Sequence, residues 1–151
     1  NLRDVALPRL ATGAAKAGRA VTELRITSQI VAAADTNTAA ARRDAAAQVG
    51  FYATPKGYDA LFPDGQHAAE RQSSREALAR NDVDGIIAAG EAMVGDRAVY
   101  GTPEDIVEQL RRYDGIVDWA LLYPPHFGVD PARINANEHM LIEIAAAATL
   151  S

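Results

Sequence analysis

Tyr100-Gly101-Thr102-Pro103-Glu104-Asp105-Ile106-Val107, running on to Tyr113 and followed at once by Val117-Asp118-Trp119-Ala120-Leu121-Leu122-Tyr123, is the stretch that decides the fold class. Thr102 is a good N-cap, Pro103 suits the first helical position because its missing N–H costs nothing there, and Asp105 stands where a capping box wants an acceptor. Ile106, Val107, Leu110 and Tyr113 then recur at helical spacing. The apolar run Trp119 to Tyr123 has the length of a strand covered on both faces, as in a parallel sheet. A capped helix feeding a buried strand is half of a βαβ rhythm.

Working outward, Glu23 to Ala33 alternates and is rich in β-branched residues, which predicts a second strand. Asp35 to Thr38 offers capping residues before an Ala-rich helix from about Ala39 to Tyr52. Upstream, Leu2 to Ala17 reads as a helix with Val5, Leu7, Leu10 and Ala14 on one side, Pro8 as a kink or true start, and Gly18 as its stop. Thr54-Pro55 caps a short helical piece carrying Tyr58, Leu61 and Phe62, and Pro63-Asp64-Gly65 is a turn. Ala68 to Arg80 predicts a solvated helix. Val83 to Met93 predicts a partly buried one, weakened by Gly85 and Gly90. Residues 54–95 thus form a helical excursion between two βα units. After Tyr123, the stiff loop Pro124-Pro125-His126-Phe127-Gly128 leads to Asp130-Pro131 and a last helix with Ile134, Leu141, Ile142, Ile144, Ala145 and Ala148 as its stripe. Two strands cannot make a stable sheet alone, so more sheet is expected than these 151 residues hold.

Composition narrows the function. A net charge of -5 and a pI near 5.1 argue against nucleic acid and anionic membranes as partners. The absence of cysteine excludes disulfides, thiolate zinc sites and cysteine nucleophiles. No apolar run approaches the roughly 20 residues of a spanning helix, and a cytoplasmic setting is the expectation. Asn1 has neither Met nor signal-peptide character, so processing or truncation upstream is expected.

Three segments carry a resemblance. They are Leu7-Pro8-Arg9-Leu10-Ala11-Thr12-Gly13-Ala14-Ala15-Lys16-Ala17-Gly18-Arg19, then Gly50-Phe51-Tyr52-Ala53-Thr54-Pro55-Lys56-Gly57-Tyr58, and Val99-Tyr100-Gly101-Thr102-Pro103-Glu104-Asp105 with Gly115-Ile116-Val117-Asp118. Together they resemble the C-terminal part of a luciferase-like monooxygenase, in the group that includes deazaflavin (coenzyme F-420) dependent oxidoreductases. The resemblance implies a (β/α)8 TIM barrel, which needs about 250 residues. This α/β chain would be a helix-rich, single incomplete domain (1–151), holding about the last two βα units. Glu23 to Ala33 would be strand seven and Val117 to Tyr123 strand eight, with residues 54–95 an insertion or lid over the active-site mouth. In the complete protein the cofactor would be deazaflavin coenzyme F-420 or FMN and the substrate a small organic molecule. The family's catalytic and phosphate-binding residues would lie upstream, so catalytic residues are unknown here, and the fragment would be inactive and hold no tightly bound cofactor.

The loops after the barrel strands direct attention to Val31 to Asp35 and Tyr123 to Phe127. His126 is the best chemical candidate, since imidazole donates to a carbonyl and titrates near neutrality; the competing reading is a loop histidine satisfied by backbone or water. Tyr123 and Phe127 flank it, and Tyr52 and Tyr58 offer ring faces and hydroxyls to a pocket or else simply pack. His67 and His139 receive no role, no metal site is expected, and Lys56, Arg111 and Arg112 are read as solvated helix charges. A different class of function stays open: a stand-alone, non-catalytic α/β interaction module that completes its sheet by oligomerisation. A homo-oligomer is expected on either reading.

Overall fold

The structure, a computed structural model, describes residues 2–62 and 65–147. Pro63 and Asp64 of the expected turn, and Ala148 of the last stripe, lie outside the described residues. The elements run α1 (Leu7–Lys16), β1 (Thr27–Ala34), α2 (Thr38–Tyr52), α3 (Ala68–Ala79), α4 (Val83–Glu91), α5 (Val94–Arg97), β2 (Ala98–Gly101), α6 (Pro103–Leu110), β3 (Trp119–Tyr123) and α7 (Pro131–Ala147). A π-helical turn at Leu2–Ala6 precedes α1, and 3-10 turns cover Val21–Glu23, Lys56–Leu61 and Arg111–Tyr113.

Three parallel strands form an open sheet in the order β2-β1-β3. One more strand is therefore present than the sequence reading found. Val99-Tyr100 is too short an apolar run to show alternation, yet Ala98–Gly101 pairs with Val31–Ala34. On the other flank Thr27–Val31 pairs directly with Trp119–Tyr123, the neighbour relation expected of successive strands. The first strand starts at Thr27 and not at Glu23, which closes the preceding 3-10 turn. Asp118 sets that boundary: its carboxylate accepts from the Ile26 N–H at 2.7 Å and from Arg25 at 2.9 Å, while its own N–H donates to Ile26 O at 2.8 Å. Three bonds to one carboxylate and amide fix the point where the two chains meet.

Alternation along the strands divides the core. Val31, Ala33, Ala98, Tyr100 and Tyr123 face α2, with α4 behind it. Ile30, Ala32, Ala34, Val99, Ala120 and Leu122 face α6 and α7. Helices on both faces follow from crossovers that run in opposite directions along the sheet, since each is expected to be right-handed. The expectation that Trp119 to Tyr123 is covered on both faces is corrected. Trp119 is 67% and Leu121 56% exposed, because β3 is an edge strand and α2 reaches only as far as Tyr123.

The helix starts follow their caps. Asn37 Oδ1 accepts from Ala39 N at 3.0 Å and Ala40 N at 3.2 Å, and Thr102 and Asp105 form the reciprocal capping box at 3.3 and 3.0 Å. Of the two glycines in α4 that lower helix propensity, Gly90 has a packing reason against α2. A Cβ on Gly90 would sit 1.9 Å from Ala46 O, and one on Gly50 would sit 2.2 Å from Ile86 O, so α2 and α4 touch backbone to backbone. The helix at Ala68–Ala79 is less solvated than expected, burying Arg71, Ser74 and Ala77. In α7, Leu141 and Ile144 are buried but Ile142 of the expected stripe is exposed.

Candidate functional site at the helix α2 face and the loop after strand β3

Gln48, Phe51 and Tyr52 stand three and four residues apart on α2 and so share one face. The loop after β3 lies against that face. Pro124 and Pro125 have no N–H, and Pro125 is fully buried, so the first main-chain donors beyond the strand are those of His126 and Phe127. Both reach one acceptor. Gln48 Oε1 takes the His126 N–H at 2.9 Å and the Phe127 N–H at 3.1 Å, and Gln48 is only 3% exposed. Satisfying two partly buried donors with one side chain fixes the loop's path.

The rings follow from that path. Phe127 stacks on Phe51 with centroids 4.5 Å apart and planes 14° apart. Tyr52 meets Tyr58 edge to face at 5.3 Å and lies 6.4 Å from Tyr123, whose ring is 5.4 Å from the imidazole of His126. All five residues singled out in the sequence, Tyr52, Tyr58, Tyr123, His126 and Phe127, are thereby brought into one aromatic cluster. His126 is half-exposed, with Nε2 3.8 Å from Glu138 Oε1 on α7. Burial, followed by interaction with the Tyr123 hydroxyl, pushes the Tyr52 phenol up to about 12, while a hydrogen bond from Gln48 opposes that rise. Tyr52 therefore stays protonated near neutrality and acts as a donor.

An open cleft of about 1170 Å³ lies on the other side of Tyr52 and Tyr58 and includes Gln29, Phe62, Arg97 and Arg112 in its walls. Tyr123, His126 and Phe127 are not among those walls. Arg97 stacks over the Phe62 ring at 4.7 Å and donates to Leu61 O and Gln66 Oε1, yet its Nε is buried with no acceptor among the described residues. Burial lowers the Arg97 pKa, Asp96 opposes that, and the nearby Arg71 guanidinium adds to it. Arg112, read from sequence as a solvated charge, instead donates to Ala98 O at 2.8 Å and so anchors the start of β2. Arg111 pairs with Glu108 on the surface at 3.1 Å.

The remaining histidines are held elsewhere: His67 Nε2 lies 3.2 Å from Asp96, and His139 Nδ1 lies 2.7 Å from Asn135 O within its own helix. Among the described residues, no group of three or more His, Asp or Glu is placed to hold a metal ion, and no helix is long and apolar enough to cross a membrane.

Two polar residues escaped the sequence reading. Gln48 sits between Ala47 and Val49 in an Ala-rich helix, and the signal was a polar residue four positions before Tyr52 on a face otherwise expected to be apolar. Asn137 is the other. Because β3 ends at Tyr123, level with Val31, the last ladder groups of β1 on that side need another partner. Asn137 supplies it, accepting from Ala34 N at 2.8 Å and donating to Ala32 O at 3.3 Å.

Fold and site together define an α/β protein whose open parallel sheet carries an aromatic cluster beside a cleft of mixed apolar and polar lining. The sequence model of the luciferase-like monooxygenases matches residues 3–118, and the chain belongs to that family. No curated protein matches it. The family is one of flavin-type oxidoreductases, whose members usually use flavin or deazaflavin cofactors. Tyr52 and Tyr58 fall inside the matched stretch, which ends at Asp118, so Tyr123, His126 and Phe127 lie beyond it.

Proposed function

We propose that this chain is the C-terminal portion of a (β/α)8 barrel in a flavin- or deazaflavin-dependent oxidoreductase, and that it contributes pocket residues to hydride transfer or monooxygenation of a small organic substrate. The observation that carries this reading is the gathering of Tyr52, Tyr58, Tyr123, His126 and Phe127 around one face of α2, with Tyr52 and Tyr58 opening onto a cleft. Direct parallel pairing of β1 with β3 is the neighbour relation that strands seven and eight would have, while β2 takes the flank of β1 on which a sixth strand would lie in a closed barrel. Trp119 and Leu121 on the outer strand supply an apolar face on which further strands and their layer would build.

The cleft suits a planar polar ring. Tyr52 and Tyr58 offer aromatic surface, Gln29 offers an amide and Arg97 a guanidinium in the cleft wall, so these residues would hold part of such a cofactor. When bound, FMN or F-420 supplies the hydride acceptor or donor, and FMN additionally supplies oxygen activation. The protonated Tyr52 donates a hydrogen bond to a ring or substrate oxygen. Residues 54–95 cover the mouth as an insertion. Loops of the earlier strands complete the cofactor site, so the chain alone is inactive.

The test is a fluorescence titration of FMN and of F-420 with the full-length protein that carries this chain. Saturable binding of one of them, weakened by Tyr52→Ala, is the expected result; no spectral change with either overturns the reading. Exposure of Trp119 and Leu121 favours a second reading, a non-catalytic module that pairs its sheet edge with another copy, and this gains ground if neither cofactor binds.

A further inference from the structure

Gln48 does more than fill the α2 face. Its carbonyl oxygen holds the His126 and Phe127 amides at 2.9 and 3.1 Å, and Tyr52, a wall of the cleft, follows one turn along the same helix. That single buried side chain thus joins the loop that carries His126 to the helix that carries Tyr52. We propose that Gln48 is a positioning residue of the site, holding the His126–Phe127 turn against the helix that carries Tyr52 so that the imidazole and the phenol keep a fixed spacing. The inference rests on the reading of Tyr52 and His126 as pocket residues and assigns the residue that sets their geometry.

Elementary hydrogen bonding dictates the roles. With its Oε1 taken by two main-chain donors, Gln48 holds the turn through that one oxygen. Glutamate at this position keeps an acceptor for both bonds. Methionine keeps the volume and loses everything polar, leaving two partly buried N–H groups without that partner. The two substitutions therefore separate the acceptor from the bulk of the side chain.

The experiment is NMR on this chain with no cofactor, comparing Gln48→Glu and Gln48→Met with the parent. The His126 and Phe127 amides are expected to be protected from exchange in the parent and in Gln48→Glu, and to exchange at least about tenfold faster in Gln48→Met, as loss of one net hydrogen bond implies. A merely structural role for Gln48 would change these two amides only in step with the rest of α2, in both variants alike. Unchanged protection of the two amides in Gln48→Met, or their loss of protection in a folded Gln48→Glu, overturns the proposal. Should Gln48→Met not fold, the Gln48→Glu exchange decides alone. The exchange does not depend on cofactor binding, so failure of the oxidoreductase reading leaves this result interpretable.

Discussion

Substituting Gly90 by alanine is expected to destabilise the protein although alanine is the better helix former. In α4 the new methyl would lie 1.9 Å from Ala46 O, 2.8 Å from Ala46 C and 3.0 Å from Gly50 N. All three are main-chain atoms of α2, so no side chain can swing away. Restoring ordinary contact near 3.4 Å requires the helices to part by roughly 1.5 Å, which loses dispersion along the whole α2–α4 contact. Overpacking of this kind costs up to about 3 kcal/mol, while the gain in helix propensity over glycine returns about 1 kcal/mol. The net loss is about 2 kcal/mol, a fall of about 4–8 °C in Tm for a chain of this size. Gly95→Ala is the control, because nothing lies within 4 Å of its added Cβ; it should be neutral or stabilising by about 0.5 kcal/mol. Thermal and urea denaturation followed by circular dichroism measure both. A Gly90→Ala protein as stable as the parent would mean that α2 and α4 are not in backbone contact, and that the face carrying Gln48 and Tyr52 is placed otherwise.

Three further outcomes follow from the same geometry. The carboxyl of Asp118 is held below its usual value of 3.8, first by the Ile26 N–H and then by Arg25, so its contribution is present above that pH and is lost as acid protonates it; the stability difference between the parent and Asp118→Asn should shrink as pH falls below about 4, and a gap that is constant with pH would contradict this. The folded-state Tyr52 phenol, raised from 10.0 to about 12, stabilises the fold fully below pH 10 and progressively less as pH rises to about 12. Tyr52→Phe should remove that alkaline loss, and ultraviolet titration should lack one late-ionising phenol. Trp119→Ser with Leu121→Ser should lower any self-association of this chain in analytical ultracentrifugation; equal association would place the contact away from the β3 edge.

The sequence made the helices legible because their signals are local. Thr102-Pro103 with Asp105, and Asn37 ahead of an Ala-rich run, mark helix starts by chemistry that operates within four residues. Strand β2 was not legible, since four residues ending in Gly101 carry too little alternation and their pairing partner lies 67 residues upstream. The exposure of Trp119 was hidden for a related reason: an apolar run has the same appearance in a central and an edge strand. Tyr123, His126 and Phe127 stand out by their place after a strand end and Tyr52 and Tyr58 by residue type, and three-dimensional folding brings the five together. Gln48 and Asn137 went unseen because their work is to satisfy main-chain groups more than 75 residues away, which no spacing rule encodes.

The central claim is that the α2 face and the loop after β3 border a redox pocket. It is tested most directly by a structure of the full-length protein with its flavin or deazaflavin and substrate bound, reading the distance from the Tyr52 hydroxyl and the His126 imidazole to the nearest ligand atom. Contact by at least one of them, within about 4.5 Å, is the expected result. A ligand bound elsewhere, with both side chains packed only against protein, would contradict the claim and leave the aromatic cluster as core.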